Sequence, residues 1–440
     1  MGFGIHIHGR VPNAHDFLKA FEGWVKTEAT DVIEGLGRAE EGEHDALFLQ
    51  VHPAAEDVLI VAEDDETVAV SGLTSTAGPG YHKFLCDWLD VVGKRFGITW
   101  DASPHAHEHD HDHEHGEHRD HDHDHGPESG DATGYFDSRD RAALEAHAAS
   151  WLEATASRIL ELATQGHSGF GLSLPEGVTF VHDALVSTPL GPRDLDWVKR
   201  TAKDGREGFD VFPWPRAERD ATFYRNRALV HMWLGVHWRR PMNEEEVALL
   251  ESILEDLEKA YHLDGALDFP WREWAEIQSF LGRDDLLSTR TQMKALSAKG
   301  PLVGYRRNDV IASISGGWSV VVPGEFAENW DEHGTWSAWT ESRSVWITSF
   351  SSDEGDSKTA EETLADFPPL EGEIRDLSQG GIIKRATFSL AREGDHSFTQ
   401  MRSYVAMPGE IVVCTVCIDD PHDEEWALGV LRSIAREEHV

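Results

Sequence analysis

Ten of the 26 histidines in this chain fall in one stretch, SPHAHEHDHDHEHGEHRDHDHDHGP, residues 103–127. They are His105, His107, His109, His111, His113, His115, His118, His121, His123 and His125, most of them flanked by Asp or Glu. Imidazole is a preferred ligand of zinc, nickel and copper, and carboxylates complete a coordination shell or act behind it. A segment this charged and this poor in apolar residues buries nothing, so it is expected to be disordered. Each ion must then order the chain around itself. The expected chemistry is several interchangeable, moderate-affinity sites for zinc or nickel.

Six other groupings carry weaker chemistry. In FGIHIHG, His6 and His8 sit two apart on a predicted strand and project from one face. Metal-dependent hydrolases use such a pair on their first barrel strand, and His52 or His82 would complete a structured site here. No second histidine pair and no eight-fold βα alternation follows, so two polar residues on an edge strand is the simpler account. His82 and Cys86 lie i, i+4 on a predicted helix and reach toward one ion, yet Phe84, Leu85, Trp88, Leu89 and Val92 mark that helix as core-facing, where a free cysteine is ordinary. His231, Trp233 and Trp238 suit the core and rim of a bundle. Cys414 and Cys417 form a CxxC inside EIVVCTVCIDD, a strand on which residues three apart face opposite ways, so no redox or zinc pair is expected. The five tryptophans between Trp318 and Trp346 are expected to be core. The Gly-Pro steps at Pro79 and Pro192 lack the glycine density of a phosphate loop.

No Ser-His-Asp order, G-x-S-x-G, H-E-x-x-H or dinucleotide fingerprint occurs. An enzyme is therefore not expected. With 39 basic and 80 acidic residues the formal net charge is −41. Such a surface repels nucleic acid and anionic membrane, and favours metal ions or a basic protein partner. The N-terminus has no basic segment leading into an apolar one, and no run approaches the ~18 apolar residues of a membrane span. Three cysteines are too few for a disulfide framework. The expected compartment is the cytoplasm.

The elements that must position these groups exceed one core, since 440 residues outgrow a single hydrophobic centre. The patterning predicts an α+β multidomain fold. Residues 1–101 read as a small α+β domain: a strand at FGIHIHG, a helix from an Asn13 cap to a stop at Gly35 or Gly37, three strands, a helix over GPGYHKFLCDWLDVVGKRFG, and ITW. Residues 102–134 read as a disordered His/Asp/Glu-rich linker. Residues 135–300 read as mainly helical with short strands: one long helix from Tyr135 to Thr164, and another whose Asn243 and Glu246 form a capping box. A short echo, GLTSTAGPGYHKFLCDW against ALVSTPLGPRDLDW, leaves a duplication open.

Residues 301–440 read as an antiparallel α+β sandwich. Its ordered features are GGWSVVVPGEF, the short helix TAEETLADF with a Thr359/Glu362 capping box, the hairpin series GGIIKRATFSLAREGDHSFTQMRSYVAMPGEIVVCTVCI, and the closing helix DPHDEEWALGVLRSIA. This order resembles the superfold of the photosystem II extrinsic subunit P, over about 130 residues. The resemblance implies an antiparallel sheet flanked by helices and a non-enzymatic accessory role. It carries no active-site residues over. Two functions follow as expectations: a non-catalytic protein binding divalent metal through its histidine-rich segment, or an acidic protein-interaction module of immunity or secretion-accessory type in which that segment is incidental.

Overall fold

The computed structural model describes residues 2–30, 32–41, 44–102, 130–174, 178–180, 185–352 and 358–436. Strand β1 (Gly4–Arg10) alternates, burying Ile5 and Ile7. Helix α1 (Ala14–Glu28) begins where the Asn13 side chain accepts from the Asp16 amide, and Phe17, Leu18, Phe21 and Val25 recur at helical spacing to form its buried face. Strands β2 (Gly35–Glu41), β3 (His44–Gln50), β4 (Val58–Ala62) and β5 (Thr67–Leu73) pair antiparallel in succession, and β5 returns to β1. Helix α2 (Pro79–Phe96) carries Pro79 at its first position and stops at Gly97 with φ of 72°. Strands β6 (Thr99–Asp101) and β7 (Gly130–Asp131) both pair with β1. Ile5, Ile7, Leu47, Ile60, Val68 and Val70 face one core with both helices.

Two expectations are corrected here. The first helix ends at Glu28, not at Gly35 or Gly37. Beyond Glu28 come the β-branched Thr30, Val32 and Ile33, the Ala29 amide bonds back to the Trp24 carbonyl, and Gly35 instead opens a strand whose Arg38 bonds Glu22 and Asp45. The stretch 130–134, assigned by composition to a linker, supplies β7 and a turn of the first sheet. Residues 103–129, with all ten clustered histidines, lie outside the described residues.

The predicted helix over 135–164 is two helices. Between α3 (Tyr135–Ser138) and α4 (Arg141–Thr164), Arg139 takes a left-handed φ of 54°. Its guanidinium turns back to Asp87 and Asp90 of α2, at 3.1 and 2.7 Å, and Asp140 caps α4. Strands β8 (Phe170–Gly171), β9 (Val178–Phe180) and β10 (Val186–Ser187) are short, and α5 (Leu195–Lys203) packs with α4 around Phe3, Trp197 and Phe212. Helices α6 (Ala221–Leu234), α7 (Glu244–Leu263), α8 (Trp271–Phe280) and α9 (Leu286–Ala295) follow. The Asn243 cap accepts from the Glu246 amide as predicted, but the Glu246 carboxylate holds Arg239 and the Met242 amide instead of closing the box.

The C-terminal part holds two antiparallel sheets. Strands β11 (Asp309–Ile314), β12 (Trp318–Pro323), β13 (Ala327–Trp330), β14 (Trp336–Trp339) and β15 (Arg343–Ser351) precede the short helix α10 (Ala360–Ala365), whose Thr359/Glu362 capping box has both halves. Then come β16 (Arg375–Asp376), β17 (Ile383–Glu393), β18 (His396–Met407), β19 (Glu410–Ile418), α11 (Glu424–Ser433) and β20 (Ala435–Arg436). One sheet runs β20-β12-β11-β9 and the other β13-β14-β15-β19-β18-β17-β16. Strand β9 therefore crosses the expected boundary at 300. Val310, Val320, Val412 and Val416 share a core with Ala427, Val430 and Leu431 of α11. The whole is an α+β multidomain fold, and no helix among the described residues is long and apolar enough to cross a membrane.

One ion-pair network ties the first sheet layer to the bundle. Arg227 of α6 bonds Asp256 of α7 through two nitrogens, at 2.6 and 2.5 Å, and Glu34 at 3.0 Å. The Asp256 side chain is 3% exposed, so its charge depends on that guanidinium. Arg227→Ala should cost about 3–5 kcal/mol in urea unfolding, because it strands a buried carboxylate. Loss under about 1 kcal/mol would show that the network does not couple the two layers.

Candidate functional site

Strand β1 organises the site. His8 faces Asp101 across the β6 pairing and His6 faces Gly130 across the β7 pairing. A strand running along this edge needs one residue opposite Ile7. Here the positions on either side, Asp101 and Gly130, lie about 7 Å apart on this edge, and in sequence residues 102–129 are inserted between them.

His6 and His8 project from the same face, as their spacing predicts, with ring centroids 5.0 Å apart at 83°. His8 Nδ1 lies 3.0 Å from Glu63 Oε2, and Ser71 stands opposite His6. The structure does not bring His52 or His82 to this pair. Both belong to the core on the other face: the His52 ring packs 5.6 Å from Trp214 and 5.9 Å from Phe223, and His82 sits on α2. Burial pushes the His52 imidazole well below its ordinary value, with Arg227 adding to the effect. The sheet is antiparallel, which removes the comparison with a parallel-barrel hydrolase.

Behind β1 lies a cluster that the sequence pointed to only in part. His82 and Cys86, one helical turn apart on α2, meet Asp131 of β7, and their ligand atoms all lie within 4.8 Å of one another. His82 and Cys86 are 0% exposed and the Asp131 side chain 2%. His82 Nδ1 lies 2.8 Å from Thr74 Oγ1, which donates to the Phe3 carbonyl. His82 Nε2 lies 3.0 Å from Thr133 Oγ1 and 3.2 Å from Asp131 Oδ1. Thr133 Oγ1 in turn donates to Asp131 Oδ1 at 2.8 Å. Both ring nitrogens of His82 are therefore within hydrogen-bond distance of side-chain oxygens.

Asp131 also accepts from the Phe136 amide at 2.6 Å and the Thr133 amide at 2.8 Å. Burial opposes its ionisation, but the bond and charge of His82, together with Phe136 and Thr133, outweigh that and hold the carboxyl well below the usual range. Burial, and then Asp131 itself, push the Cys86 thiol well above its ordinary value. Asp131 and Thr133 were hidden in the low-complexity stretch PESGDATG. The one signal was D-x-T, the spacing at which an Asp side chain accepts from the amide two residues on.

The remaining candidates are structural. Cys414 is buried and its thiol pushed up to about 12 by burial; Cys417 faces the other side of β19. His231 is pushed down to about 4 by burial and Arg227, and Trp233 belongs to the C-terminal core. Trp238 takes a left-handed φ of 51° with the Arg307 guanidinium 3.7 Å over its ring, beside a cavity of about 230 Å³ that His237 and Arg306 also line. Around the Pro79 step, a Cβ on Gly80 would meet the Arg216 backbone at 2.4 Å, so the start of α2 is closed to an anion. Trp318 and Trp336 are core as expected. Trp339 is half-buried, and Trp330 and Trp346 are exposed, at 46% and 48%, so these three depart from that expectation. A cleft of about 440 Å³, lined by Asp90, Lys94, Ile98, Thr99, Trp100 and Phe136, opens beside β6 and α3.

No family model matches this chain, and neither does any curated protein. Among solved structures, one from Bacteroides thetaiotaomicron VPI-5482 is similar over 29% of this chain, at 12% identity and a TM-score of 0.24. This chain spans about half, 47%, of that protein's length.

Because the folded Asp131 carboxyl ionises at lower pH than the unfolded one, its contribution to stability is complete above ~3.9 and is lost as the pH falls below that value. Asp131→Asn should lower unfolding free energy at pH 7 by about 1–3 kcal/mol. It should also flatten the acid limb of the stability profile, measured by urea unfolding from about pH 1.5 to 7. An unchanged profile would remove Asp131 from the account.

Proposed function

We propose that this protein is a non-catalytic, cytoplasmic multidomain protein that binds divalent transition metal, zinc or nickel, through its histidine-rich segment. The observation that carries the proposal is the rooting of that segment. The residues that flank it, Asp101 and Gly130, pair with His8 and His6 of β1, so the ten histidines lie in sequence between two points held on one strand. Confinement raises the local ligand concentration around any ion that one ring captures. The acidic background, net −41, adds attraction for cations. A non-catalytic role is supported by the sealed state of the one His-Cys-Asp cluster among the described residues, whose thiol is fully buried.

A second function is favoured by a separate observation. Trp330, Trp346, Phe350 and Leu390 of the C-terminal sheets expose large apolar surface. A basic protein partner docking there would make the histidine-rich segment incidental.

Replacing residues 103–127 by a short Gly-Ser link should leave the far-ultraviolet dichroism and the unfolding midpoint in place. Calorimetry with zinc and nickel should then lose the several moderate-affinity ions bound by the full chain. Retention of those ions after the deletion would overturn the proposal. A basic partner whose binding survives the deletion would favour the interaction module.

A further inference from the structure

We propose a second metal site in the folded core, separate from the histidine-rich segment: His82 Nε2, Cys86 Sγ and Asp131 Oδ1 together take one zinc-class divalent ion between α2 and β7. The donor set comes first. One imidazole nitrogen, one thiolate sulfur and one carboxylate oxygen match the borderline-soft preference of zinc, and a structural zinc site is closed to solvent as this one is. Spacing comes second. Tetrahedral zinc with bonds of ~2.0–2.3 Å separates its ligand atoms by about 3.5 Å. His82 Nε2 and Asp131 Oδ1 already stand 3.2 Å apart, and ligand atoms, one each of His82, Cys86 and Asp131, lie within 4.8 Å of one another. Thr133 Oγ1, 3.0 Å from Nε2, stands nearest the fourth position.

Binding would release the Cys86 thiol proton, and any proton on Nε2, to solvent. The ligands are already oriented from behind: Thr74 holds His82 Nδ1, and the Phe136 and Thr133 amides hold Asp131. An ion here would fix β7 to α2 at the point where the chain returns from the inserted segment.

Cobalt(II) is the probe, because a thiolate ligand gives it a near-ultraviolet charge-transfer absorption that histidine and carboxylate ligands do not. The histidine-rich segment has no cysteine. Cobalt held there contributes only weak visible bands, so the two proposals are read in different parts of one spectrum. The full-length chain, both folded and refolded in the presence of cobalt, should develop the thiolate absorption to one equivalent, and zinc should abolish it. Cys86→Ser should lose it with far-ultraviolet dichroism intact, while Cys414→Ser with Cys417→Ser keeps it. Asp131→Asn and His82→Gln should each weaken cobalt binding by at least ~10-fold, no less than loss of a supporting partner costs. If either single substitution unfolds the chain, the other serves as the test. No thiolate absorption in the wild-type chain, or its persistence in Cys86→Ser, overturns the proposal.

Discussion

The pairing of β1 on both of its edges is the constraint on which this molecule depends. On one edge β5 covers its whole length, residue for residue from Gly4 to Arg10. On the other edge two separate pieces of chain, β6 and β7, share the strand. The alternation of β1 then assigns chemistry to faces. Ile5 and Ile7 enter the core under α2, while His6 and His8 project together from the opposite face. A one-residue slip in this register would exchange the two faces, placing imidazoles in the core. Burial of the isoleucines and the position of the inserted segment are therefore set together.

The return point is held more firmly than a two-residue strand alone would be. Asp131 reaches His82 from β7, Thr133 adds its hydroxyl, and Arg139 bridges to Asp87 and Asp90 from the far side of α3. These bonds are buried or half-buried and all converge on α2. The same helix packs Leu85, Leu89 and Val92 into the first core, so the inserted segment is anchored to the most heavily buried helix of its unit. Elsewhere the acidic chain uses its arginines in pairs with carboxylates at the joints between layers. Arg227 joins Asp256 and Glu34, Arg239 joins Glu246, and Arg306 joins Glu328.

Much of this was legible in the residues because it rests on local period and local caps. The alternation of FGIHIHG, the Thr359/Glu362 box and the helical spacing of Phe17 to Val25 each correspond to an element that formed. What was not legible depends on partners distant in sequence. Asp131 sits in a polar stretch that composition assigns to a linker, and only its contact with His82, about fifty residues earlier, makes it part of a core. Arg139 interrupts a helix that propensity would continue, because its side chain finds Asp87 and Asp90. β9 joins β11 although most of a bundle separates them. His82 and Cys86 were visible as a helical pair, but their third partner was not.

The central claim is that the histidine-rich segment is an insertion closed on β1. Amide hydrogen exchange in the metal-free, full-length chain tests it most directly. Exchange at 99–101 and at 130–136 should be slowed to the level of β1 and β5, because the cross-strand bonds and the His82–Asp131 contact hold both ends at once. Rapid exchange at 130–136, with β1 and β5 still protected, would contradict the account and return the segment to the status of a tether between domains.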